Sequence, residues 1–94
     1  MSNSYIITAY GQIRPMPQPE NEDGTFTLKQ LQDAVGGLIE QLHPREPQQC
    51  PDKLVFLCDE EGLLKEKPYN GLASVLVGSS VVGDLVVIDE DKWS

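Results

Sequence analysis

Histidine occurs once in this sequence, at position 43. Nucleophilic catalysis of the Ser/His/Asp or Cys/His kind needs a positioned base. His43 falls at the expected end of a helix, where its cationic form would interact well with the helix dipole. Cysteine occurs twice, at Cys50 and Cys58. A zinc site needs four ligands, or three and a water, usually in tight pairs. One histidine and two separated cysteines do not supply it, and a disulfide scaffold would carry more cysteines at regular spacing. Cys58 lies in an apolar run and reads as a buried thiol in a reducing compartment. A Cys50–Cys58 bridge is the alternative. Basic residues are also scarce: seven against fifteen acidic ones, for a net charge of −8. Such a chain repels phosphate backbones and anionic bilayers, which argues against direct nucleic-acid or membrane binding.

Other signatures are missing as well. No glycine-rich phosphate loop of either nucleotide-binding pattern can be written anywhere in the chain. ENEDGT offers oxygen ligands, but it has neither the loop length nor the distal glutamate of a calcium loop. No apolar run reaches membrane-spanning length. The start, MSNSYIITAY, lacks the basic residues and long apolar core of a signal peptide. We expect a soluble, cytoplasmic protein with no catalytic residues, no metal and no cofactor.

What is present describes a small globular domain. Apolar residues make up 39% and charged residues 23%, enough for a modest core in a chain of 94 residues. Residues 5–13 open as a strand. RPMPQPENEDG follows with three prolines, and we read 14–24 as an exposed proline-rich loop closed by a turn at Asp23-Gly24. FTLKQL is a strong helix start. Thr27 can cap, Gln30 completes a capping box, and Phe26 with Leu31 forms a hydrophobic staple. From there Leu28, Leu31, Val35, Leu38, Ile39 and Leu42 recur at helical spacing, so the pattern predicts one amphipathic helix over 28–42, stopped by Pro44. KLVFLCD reads as a strand covered on both faces or central in a sheet. DEEG reads as a turn and LLKEK as a returning strand, a hairpin over 54–67. LASVLV fits a short helix or a strand. VVGDLVVID supplies a last strand over 85–88, and 90–94 is a polar tail unless Trp93 packs back. The sum is an α+β fold over 1–94: a small, mainly antiparallel sheet of three to five strands packed on one long amphipathic helix, in two layers.

Within AVGGLIE, Gly36 and Gly37 are costly in a helix interior, at roughly 1 kcal/mol each relative to alanine. Successive helical residues advance about 100°, which places Gly36 on the flank of the apolar stripe and Gly37 nearly opposite it. Either Gly37 marks a kink, or something approaches the backbone there: a second subunit, a loop such as PYNG, or a partner.

Three blocks, LQDAVGGLIE, CDEEGLLKEKPYN and VVGDLVVID, together resemble a small family of uncharacterised proteins known as a domain of unknown function and found in phages, plasmids and prokaryotic genomes. Val35-Gly36-Gly37 with Ile39-Glu40 carries the first block. Glu61-Gly62, Leu64 and Asn70 carry the second, and Val82-Gly83-Asp84 the third. The resemblance implies a small α+β domain and a mobile-element setting, and it brings no activity.

Two functions are carried forward. The first is a non-catalytic acidic interaction protein that modulates a host factor through a basic surface, using Glu40, Glu60 and Glu61. The second is a small-molecule-binding or sequestering protein. Its pocket would lie near Gly36, Gly37, Tyr69 and Asn70, with Arg14, Lys65 and Lys67 as the basic residues placed to converge on an anion.

Overall fold

The computed structural model describes residues 4–43 and 54–93. Cys50 and Pro44 lie outside them, and with them the proposed bridge and helix stop. Five strands and two helices follow in the order β1 (Tyr5–Ile7), β2 (Ile13–Pro15), α1 (Leu28–Val35), β3 (Ile39–Leu42), β4 (Leu54–Asp59), α2 (Gly71–Val77) and β5 (Leu85–Asp89). The strands form one sheet in the order β2-β1-β5-β4-β3, antiparallel at every pairing. The α+β expectation holds, with five strands.

The long helix does not. α1 begins as expected: the Thr27 hydroxyl accepts from the Gln30 N–H at 3.0 Å, and the Gln30 side chain accepts from the Thr27 N–H at 3.1 Å. It ends at Val35, because Gly36 turns left-handed at φ 82° and the amides of Gly36 and Gly37 both close on the Gln32 carbonyl. That is the glycine stop of a helix. The chain then reverses, and Ile39–Leu42 becomes an edge strand against β4. Leu38, Ile39 and Leu42 fell on helical spacing by coincidence.

Residues 5–13 are likewise two pieces, β1 and the start of β2, joined by a turn through Gly11. Pro15 is accommodated because β2 is an edge. The returning strand at LLKEK is absent. Residues 60–66 wind through successive turns instead, and β4 pairs with β3 and β5. LASVLV is a helix, capped by Asn70.

The core is divided by the sheet. Phe56, Cys58, Leu85 and Val87 face α2, where Ala73 and Val77 pack with Ile7 and Val81. Val55, Leu57, Val86 and Ile88 face α1, where Leu31 and Val35 pack with Phe26 and Met16. Alternate residues of β4 and β5 thus serve opposite faces, which accounts for their unbroken apolar runs. One short helix on each side makes three layers and not two. The polar tail is also partly held: the Phe26 amide donates to the Lys92 carbonyl at 3.0 Å, and Trp93 packs against the α1-side core.

Candidate functional site

Asp59 is the last residue of β4 and is almost wholly buried, its side chain 1% exposed. A lone buried carboxylate would be expensive, so it must be paired. Two lysines come to it from the turns that follow. Lys67 Nζ lies 2.7 Å and Lys65 Nζ 2.9 Å from Asp59 Oδ2. The Glu61 amide donates to Oδ1 at 2.9 Å. Burial alone would raise the Asp59 pKa. The hydrogen bonds from Lys67, Lys65 and the Glu61 amide outweigh it and hold the carboxyl well below the usual carboxylate range. The lysines also donate to the end of α1: Lys67 to the Val35 carbonyl at 2.8 Å, and Lys65 to that of Gly36 at 3.3 Å. Those carbonyls have no helical partner, and cations suit that end of the dipole.

This cluster draws the three quoted blocks together. A Cβ on Gly37 would stand 2.5 Å from Lys65 Nζ and 2.8 Å from both Asp59 carboxylate oxygens. One on Gly83 would stand 2.8 Å from Lys67 Cδ, and one on Gly36 3.0 Å from Lys67 Nζ. So the backbone at Gly37 is indeed approached closely, by the chain's own ion pair and not by PYNG. A shallow groove lined by Gly36, Gly37, Leu38, Glu61 and Lys65 lies over this end of α1.

Asn70 serves the opposite face. It is 1% exposed. Its Oδ1 accepts from the Ala73 amide at 3.0 Å, and its Nδ2 donates to the carbonyls of Ile7 and Gly83, each at 2.9 Å. Both amide hydrogens and the carbonyl oxygen are therefore engaged in fixing α2 to β1 and to the approach to β5. Tyr69 is 60% exposed and forms an isolated backbone bridge to Val82. Neither residue lines the groove at Gly36 and Gly37, so that groove does not bring together the four residues of the small-molecule reading. Arg14 sits on β2 and hydrogen-bonds Gln12, while Lys65 and Lys67 converge on Asp59.

The remaining acidic candidates are in solvent. Glu40 is on the edge strand β3, and Glu60 and Glu61 begin the turns after β4; all three are exposed. Beside them Leu63 and Leu64 are 80% and 83% exposed. Behind Glu40, Cys58 is a buried free thiol, pushed up to about 11 by burial and by the neighbouring Glu40 and Asp59 charges. Among the described residues, no group of three or more His, Cys, Asp and Glu side chains is placed to hold a metal ion. No helix among them is long and apolar enough to cross a membrane.

A family model described as a domain of unknown function, DUF3846, matches residues 11–93, and the chain belongs to that family. No curated protein and no solved structure matches it.

Proposed function

We propose that this member of the family is a non-catalytic interaction protein whose partner presents a basic surface. One observation carries the reading. The lysines nearest the acidic turn are committed internally, Lys65 and Lys67 to Asp59, while Glu60, Glu61 and Glu66 point into solvent around two exposed leucines. An apolar centre rimmed by carboxylates that form no ion pair with a described lysine or arginine suits a partner with an apolar contact ringed by lysine or arginine. The resemblance to proteins of phages and plasmids makes a host factor the first partner to test. Capture from a cytoplasmic lysate at low and at high salt is the experiment, repeated with Glu60→Gln/Glu61→Gln. Capture should fall with salt and fall again in the double variant. Salt-independent capture that the variant leaves unchanged would refute the reading.

A further inference from the structure

The two edges of the sheet differ in what they leave unbonded. In β3 the Leu38 carbonyl accepts from the Glu60 amide at 2.8 Å. Antiparallel pairing alternates, so Glu40 and Leu42 also turn their backbone groups to β4. Ile39 and Gln41 must therefore turn theirs outward. Among the described residues nothing bonds to them. At the other edge, Thr8 and Gln12 form the bonded pair, so Ile13 and Pro15 face outward, and Pro15 has no N–H to offer. Among the described residues, one edge is stopped by a proline and the other is not.

The open edge carries a charge. Glu40 projects on the α2 side of the sheet, opposite Cys58, and it is exposed. It stands at a small groove of 140 Å³ whose walls include Leu42, Leu63 and Val82 and whose rim includes Glu60. No described lysine or arginine forms an ion pair with Glu40 or Glu60. A second copy of this chain added antiparallel about a two-fold axis at Glu40 would set two glutamates face to face, which is unfavourable.

We propose that β3 accepts an extended segment of a partner protein as a sixth strand, with a lysine or arginine of that segment held at Glu40 over the groove. The ladder to Ile39 and Gln41 supplies sequence-independent binding, and the carboxylate supplies selection. The inference rests on the reading that the partner is a basic protein, and it adds the mode of contact.

The probe is a capped seven-residue peptide of alternating lysine and threonine, titrated to about 1 mM, the range expected for a short isolated strand. Binding should slow hydrogen exchange at the Ile39 and Gln41 amides and leave Glu40 unchanged, since its amide is already bonded within the sheet. Gln41→Pro removes one outward N–H without touching the β4 pairing and should weaken binding about tenfold or more. Glu40→Gln keeps the edge intact and should weaken binding and flatten its salt dependence. N-methylation at alternate peptide residues should abolish binding in one register and spare it in the other. Should Gln41→Pro fail to fold, the methylated peptides decide on the unaltered protein. Binding that is indifferent to methylation register and to Gln41→Pro, yet lost in Glu40→Gln, would overturn strand addition while leaving a basic partner intact. Protection of Ile39 and Gln41 in the free protein, or no binding of the peptide, would also overturn it. In either case, salt-sensitive capture from lysate would still decide the broader reading.

Discussion

The two helices are fastened to the sheet by opposite kinds of chemistry. On one face, the end of α1 is tied to β4 by a buried charge, Asp59, and the two lysines that neutralise it. On the other, the start of α2 is tied to β1 by a neutral amide, Asn70. Both fastenings reach backbone across long stretches of sequence, through Lys67 to Val35 on one face and through Asn70 to Ile7 on the other. The difference lies in what happens when one partner is missing. An amide that loses a contact leaves a polar group unpaired, whereas a charge cluster that loses a lysine leaves a buried carboxylate with a weaker counter-ion. The charged fastening should therefore be the more brittle of the two and the only one that responds to acid.

Lys67→Met should give the largest loss, about 4 kcal/mol, read as a lowered urea midpoint, because Asp59 stays buried with only the more exposed Lys65. Changing Asp59→Leu in the same chain should recover much of that loss. If it does not, packing and not charge accounts for the cost. Asn70→Ala should cost about 3 kcal/mol, since two carbonyls and one amide lose their partner in a buried site. The same loss should be found at pH 7 and at pH 4. Gly37→Ala should cost about 2 kcal/mol, because the added methyl must displace the Lys65 ammonium or the Asp59 carboxylate. An unchanged midpoint would show that the lysine swings away freely. Thr27→Ala should cost about 1 kcal/mol through loss of the cap, with no effect on either fastening.

Acid sharpens the contrast further. The Asp59 pKa is lowered on folding, so its contribution is complete above the unfolded value, near 4, and is lost as pH falls toward the folded one. Wild-type stability should decline below about pH 4, and Asp59→Asn should have a shallower decline over the same window. Parallel slopes would place the acid sensitivity in other carboxylates. Asn70→Ala should keep the wild-type slope.

Local signals proved legible in the sequence. Thr27 and Gln30 form the capping box that their spacing announces, the Asp23-Gly24 turn closes on Asn21, and the unbroken apolar run of β4 is covered on both faces. Reading failed where a distant partner decided the outcome. Ile39–Leu42 carries a pattern compatible with helix or strand, and only pairing with β4 settles it. Gly36-Gly37 was available as a helix stop, yet the apolar stripe beyond it matched the helical period. In the sequence Asp59 is one carboxylate among several in the DEEG turn. The usable hint was its place at the end of an apolar strand, with lysines six and eight residues on. Asn70 is an amide near a turn, and its sequence carries no sign that its oxygen and both amide hydrogens are engaged within the fold.

The strand order has a consequence for how the chain reaches this state. β5 sits at the centre of the sheet, between β1 and β4, yet it is the last of the five strands to be made. Until it emerges from the ribosome, β1 has only the short β2 beside it, β4 has only β3, and neither half can bury its apolar rows. Pairing β1 with β5 also closes a loop spanning most of the chain, which slows folding. Arrested nascent chains that expose β4 but not β5 should therefore be protease-sensitive throughout. Resistance should appear in one step once β5 clears the exit tunnel, joining both halves of the sheet at once.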